Sequence, residues 1–348
     1  MQITKKVLVT ADLDKESIEF ITNSFVAVLR GRAAGGRDFL SEIHLTKEIE
    51  TFQPEILIIS AEPVTERVLN AASQLKLIAV TRGNPVNVDL DACKKRGIIV
   101  TNTPARNANS VAELTIALII CSARNVFKAV DSVKNGTVTV PHRLKASDHT
   151  KDIIWFDSKL KKQPYIEFQG VDISGKSLGL IGFGAIGRKV AEKATCLGMR
   201  VIAYDPNIPA EEMKKFNVEH ALFDELLCES DFVSIHCKLT SKTEGMIGKR
   251  EFEIMRSSAF LINTARAGIV NREALYQALK KGQIMGAAFD VFYYEPIAAD
   301  DPFLNLCNFV ITPHIGGASR DVRVYHSRMI LKTIMAYVNG DRIPYRIT

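Results

Sequence analysis

Two series of short apolar runs, separated by stretches of helical periodicity, constrain this chain more than any other feature. The first comprises KKVLVT, EILIIS, LKLIAVT and GIIVTN, with helix-like segments beginning at Lys15, Thr65 and Asp89. The second comprises KSLGLIG, MRVIAYD, DFVSIHC, SAFLINT, IMGAAFDV and NFVITP. A strand that is apolar on every residue must be covered on both faces, which is the situation in a parallel sheet with helices above and below it. The alternation therefore predicts an α/β chain with two doubly wound parallel-sheet domains. A length of 348 residues agrees, because a single hydrophobic core stops growing below that size.

Between the two series, Ser110 to Lys134 reads as one long helix, with Ser110 and Glu113 spaced as a capping box. Ala318 to Val338 reads as a final helix, ended by Asn339 and Gly340. Residues 137–173 show no sustained period and hold the single tryptophan, Trp155. A stretch of that length is a functional flap bordering a cleft or an ordered surface excursion.

Composition excludes several classes. The net charge of +6 is modest and its lysines and arginines are scattered among acids, so no nucleic-acid partner is implied. No apolar run reaches membrane-spanning length and no cleavable leader pattern opens the chain, so the expectation is a cytoplasmic protein with no membrane partner. Six cysteines occur without a CxxC pair or a close cysteine/histidine cluster beyond His236 next to Cys237, which argues against a metal site and a disulfide framework.

The most specific local signal is GLIGFGAIGRKVA, a strand running into Gly182, Gly184 and Gly187 at the start of a helix. Gly182 permits the tight turn, Gly184 lets backbone approach a pyrophosphate, and Gly187 lets the helix pack on the strand. Asp205 closes the next strand, RVIAYD, where its carboxylate can accept from ribose hydroxyls and repel a 2′-phosphate, favouring NAD(H) over its phosphorylated form. Three later strands end in polar residues: Arg266 in NTARAGIV, Asp290 and Glu295 in AAFDVFYYEP, and His314 in TPHIGGAS. Each alone has a bland explanation, as surface arginine, solvated acid or core histidine. Ligands of open parallel sheets bind beyond the carboxyl ends of the strands, so together these residues face the cofactor.

These motifs, with RGNPVNVDLDACKKRGIIVTNTPARNANSVAELTIALII in the first series, resemble the D-2-hydroxyacid dehydrogenase family over nearly the whole chain. The resemblance implies a Rossmann NAD-binding domain at 108–317 and a flavodoxin-like substrate domain built from 1–107 and 318–348, with a cleft between. It implies NAD-dependent interconversion of a D-2-hydroxy acid and its 2-oxo acid. His314 would be the acid/base, Glu295 the carboxylate that stabilises its protonated form, and Arg266 the residue holding substrate carboxylate and carbonyl. Arg82, Gly83 and Asn84 would meet the substrate carboxylate. Ala185, Ile186, His236, Thr243, Thr264, Ala265, Asp290 and Gly316 would join the glycines and Asp205 around the cofactor. A homodimer built around the helix near Ser110 is also implied. An NAD(H)-sensing corepressor on the same fold is the alternative reading. Asn84, Pro85 and Asn87 depart from the family's usual loop, as do Ala267 and Lys238 elsewhere, which leaves the identity of the acid open, including whether it carries a phosphate.

Overall fold

All four apolar runs of the first series form strands, and a fifth joins them. In this computed structural model, which describes residues 3–139 and 163–348, β1 is Ile3–Val9, β2 Phe25–Leu29, β3 Ile56–Ile59, β4 Leu77–Val80 and β5 Ile99–Thr101. They pair in parallel in the order β2-β1-β3-β4-β5, the flavodoxin-like arrangement. The extra strand, FVAVL, lies at the sheet edge with Val26 40% exposed; it is apolar throughout, but it follows the helix Lys15–Ser24 with no turn residue between them, so nothing in the sequence marks where the helix ends and the strand begins.

The second series forms a seven-stranded parallel sheet: β6 Ser177–Ile181, β7 Arg200–Tyr204, β8 Glu219–His220, β9 Phe232–Ile235, β10 Phe260–Asn263, β11 Gly286–Phe289 and β12 Phe309–Ile311. Their order, β12-β11-β10-β9-β6-β7-β8, is that of a Rossmann sheet, with the direction of winding reversed between β6 and β9. In this sheet only β8 was not legible as an apolar run, being two exposed residues. Each sheet has apolar clusters on both faces, as fully apolar strands require.

The chain divides into two compact units, Met1–Asn107 with Ala318–Thr348, and Ala108–Gly317. The final helix, Arg320–Asn339, is capped by the Ser319 side chain at its start and by Gly340 in the left-handed region at its end. Its Ile330 and Ile334 are buried with Val7, Val9, Ile56 and Ile58 of the five-stranded sheet.

One expected element is corrected. The single helix from Ser110 to Lys134 is two helices, Ala108–Ala123 and Val126–Lys134, bent by 69°. The break is at Asn125, which holds φ 52°, a conformation that interrupts helical hydrogen bonding. Ser110 lies inside the first helix rather than capping it, and Glu113 instead accepts from the Asn109 side chain at 2.7 Å. No single helix is long and apolar enough to cross a membrane among the described residues. Most of the 137–173 segment, Trp155 included, lies outside the described residues.

Candidate active site

The turn after β6 is built so tightly that two of its glycines, Gly182 and Gly187, are obligatory. Gly182 has φ 98°, and a Cβ there would sit 2.6 Å from the Cys237 nitrogen, just past β9. A Cβ on Gly187 would collide with the Gly182 carbonyl oxygen. Nothing lies within 4 Å of where a Gly184 Cβ would be, so the free N–H groups at the start of helix Ala185–Cys196 open onto space. Asp205 stands beside this turn at the end of β7. Its Oδ2 accepts from the Phe183 N–H and its Oδ1 from the Asn207 N–H, both at 2.9 Å.

His236 follows β9 at the same end of the sheet. Its Nε2 is 2.9 Å from the Ser234 hydroxyl, while its Nδ1 is buried and has no partner among the described residues. Burial lowers its pKa to about 3, so the ring is neutral. An open anion cradle, a carboxylate placed for hydroxyls and an orphaned ring nitrogen fit a dinucleotide.

At the ends of β10, β11 and β12 the structure brings three of the predicted residues together. His314 Nδ1 is 2.8 Å from Glu295 Oε2, with both side chains partly exposed. The other Glu295 oxygen accepts from the Phe292 N–H at 2.8 Å. Partial burial would raise the Glu295 carboxyl, but hydrogen bonds from His314 and Phe292 and the charges of His314 and Arg266 outweigh it and hold it below the usual carboxylate range. Arg266 is exposed, and its Nη1 donates to the Ala265 carbonyl at 2.6 Å. Its backbone is set by Asn263, a fully buried residue at the end of β10 that accepts from the Ala265 N–H and donates to the Arg266 carbonyl, each at 3.0 Å.

His314 itself holds φ 56°. Asp290, 1% exposed, maintains that turn: its Oδ1 accepts from the Thr312 hydroxyl at 2.6 Å and the Ile315 N–H at 2.8 Å, and its Oδ2 from the Gly316 N–H at 2.7 Å. Asp290 and Gly316 thus act on the loop that carries His314, in addition to any role beside a cofactor. The hydroxyls of two other predicted cofactor residues are engaged locally, Thr243 with the Lys238 carbonyl at 2.6 Å and Thr264 with Thr115 at 3.0 Å. Asn263, Thr312 and Phe292 were missed in the sequence because their contribution is to backbone placement, for which residue type gives no signal.

Arg82, Gly83 and Asn84 belong to the other unit, beyond the end of β4. The Arg82 carbonyl accepts from the Thr103 N–H at 3.0 Å and the Gly83 carbonyl from the Asn102 side chain at 2.7 Å. The Gly83 and Asn84 N–H groups have no partner among the described residues and are exposed.

Residues 144–316 match the family model of the D-isomer specific 2-hydroxyacid dehydrogenase, NAD binding domain. A glyoxylate reductase of Thermococcus litoralis is 33% identical over 340 residues, covering 97% of this chain and 95% of its own. The chain belongs to the D-isomer-specific 2-hydroxyacid dehydrogenase family. A D-3-phosphoglycerate dehydrogenase of Archaeoglobus fulgidus is 33% identical over 335 residues, 96% of this dehydrogenase-family chain, which spans only 58% of that relative's length. The solved TT0316 protein of Thermus thermophilus superposes with a TM-score of 0.76 at 30% identity, covering 99% of this chain and 100% of that one.

Proposed function

We propose that this family member interconverts a D-2-hydroxy acid and its 2-oxo acid with NAD(H). The observation that carries the reading is the 2.8 Å Glu295–His314 pair beside Arg266, at the same end of the sheet as the dinucleotide turn. When bound, the nicotinamide supplies the hydride to C2, or accepts it in the reverse direction. Glu295 occupies His314 Nδ1, which leaves Nε2 to give a proton to the C2 oxygen in reduction and to take it back in oxidation. Because Glu295 is held ionised, it stabilises the imidazolium that must exist before that transfer. Arg266 has one N–H bound to Ala265 and, its side chain having no other partner among the described residues, offers the rest of its guanidinium to the substrate carboxylate and the charge that develops on oxygen. Asp205 supports NAD(H), since its carboxylate would stand against a 2′-phosphate.

A screen of NADH oxidation across 2-oxo acids, followed by nicotinamide absorbance, tests the reading. Turnover of at least one acid is expected, and silence across a broad panel would remove the assignment. A homodimer is also proposed. Its support is the apolar face that Val126, Phe127, Val130 and Val133 leave exposed on the helix after the break. Sedimentation should then give twice the monomer mass.

A further inference from the structure

The loop that leaves β9 carries an unpaired lysine between two parts of the site. Cys237 is packed so closely on the dinucleotide turn that a Cβ on Gly182 would lie 2.6 Å from its nitrogen and 2.9 Å from its Cα. Leu239 is packed on the loop that follows Arg266, where a Cβ on Gly268 would lie 3.2 Å from the Leu239 side chain. Lys238 stands between these two contacts, and its carbonyl accepts from the Thr243 hydroxyl at 2.6 Å. Its backbone is therefore fixed at the carboxyl end of the sheet, one residue from the turn. The side chain is exposed and has no hydrogen bond or ion pair among the described residues. It is also a position where the chain departs from the family's usual pattern.

Lack of a partner alone does not single out this lysine, since Lys176, Lys214 and Lys281 have none among the described residues either. Those three precede β6, β8 and β11, which puts them at the amino end of the sheet, away from where parallel sheets bind ligands. The cations that follow the turn are committed. Arg188 donates to the Phe183 carbonyl at 3.2 Å and to Glu212 at 2.8 Å, with its guanidinium 4.9 Å from the centre of the Phe216 ring. Lys189 pairs with Glu192 at 2.7 Å and Lys193 with Glu113 at 3.5 Å. Residues 182–187 hold no cation at all. The free N–H groups at the start of helix Ala185–Cys196 offer about half a positive charge, with the Asp205 carboxylate beside them. A pyrophosphate bears a negative charge on each of its phosphates, so the turn by itself leaves most of that charge unmatched.

We propose that Lys238 is a cofactor-binding residue whose ammonium meets the pyrophosphate of the dinucleotide. The inference rests on the dehydrogenase reading above and concerns residues 108–317 alone. The N–H groups of the turn orient the pyrophosphate, and the lysine, a point charge on a flexible stem, neutralises it. Asp205 stands against a 2′-phosphate, which leaves the pyrophosphate as the anion for Lys238 to meet.

Binding measurements test it, with NADH and NADPH followed by fluorescence and NAD+, ADP and adenosine by displacement of NADH. Lys238→Met should raise the Kd of NADH, NAD+ and ADP alike by about three- to tenfold, the range for a charge-assisted contact open to water. Adenosine, which has no phosphate, should bind unchanged. Lys238→Arg should recover most of the loss, and Lys242→Met, which removes an exposed lysine of the same loop, should match the wild type. The wild-type Kd for NADH should also rise more steeply than that of Lys238→Met as salt goes from about 0.05 to about 0.5 M. Should Lys238→Met fail to fold, Lys238→Gln takes its place with the same expectations. A loss below that range, an equal loss for adenosine, a loss reproduced by Lys242→Met, a loss confined to NADPH, or equal salt dependence overturns the role of Lys238 alone. Failure of the wild-type chain to bind NADH overturns the dehydrogenase reading and this inference with it.

Discussion

At the scale of single residues, the chemistry rests on one proton and the groups that hold it. On the proposed reading, replacing His314 with Asn removes the acid/base, and kcat should fall by about 10² to 10⁴. NADH binding, read by fluorescence, should persist, because the glycine turn and Asp205 are on other strands. Glu295→Gln keeps the shape and removes the charge that favours the imidazolium. Turnover in reduction should then fall by about 10- to 100-fold with NADH affinity unchanged, and an unmoved kcat would show that the Glu295 charge plays no part in the proton transfer. His314, Glu295 and Arg266 were legible because each follows an apolar strand of one sheet, so the fold itself predicts their convergence. The Asp290 bonds to Thr312, Ile315 and Gly316 were not legible, since a buried acid satisfied by a hydroxyl and two backbone N–H groups looks in sequence like any strand-end aspartate.

At the scale of elements, the apolar runs located every strand but two: β2, apolar throughout yet joined directly to the preceding helix, and β8, two exposed residues at the sheet edge. The helix break at Asn125 was also hidden, because apolar periodicity continues on both sides of it and asparagine tolerates helical and left-handed conformations alike. Asn125→Gly should therefore be nearly neutral in thermal unfolding, while Asn125→Val should cost about 1 to 2 kcal/mol for forcing a branched residue to positive φ. The turn after β6 gives the sharper test. Gly187→Ala sets a methyl group against the Gly182 carbonyl, so the helix must move off the strand. Melting temperature and NADH affinity should fall together, whereas a change confined to stability would separate the turn from the cofactor.

At the scale of the whole molecule, stability should depend on pH through histidines kept neutral by the fold. The folded pKa of His236 is about 3 and that of His326 is also lowered, whereas an exposed histidine in the unfolded chain titrates at ~6.5. Below that pH the unfolded chain binds more protons than the native one, so stability is full above ~6.5 and is lost as pH falls toward the folded values. Denaturant midpoints measured from pH 8 down to pH 4 should decline, and replacing His326 with Gln should flatten part of the decline. The helix Arg320–Asn339, which packs Ile330 and Ile334 against β1 and β3, bears on how the molecule comes into being. During synthesis the first five strands emerge long before this helix, while all of Ala108–Gly317 is made in one pass. The ribosome therefore releases the second unit able to close its core while the first still waits with an apolar face uncovered. A pulse of deuterium during refolding should find the β6 and β9 amides protected before those of β1, and a nascent chain halted before residue 318 should be the form that chaperones hold.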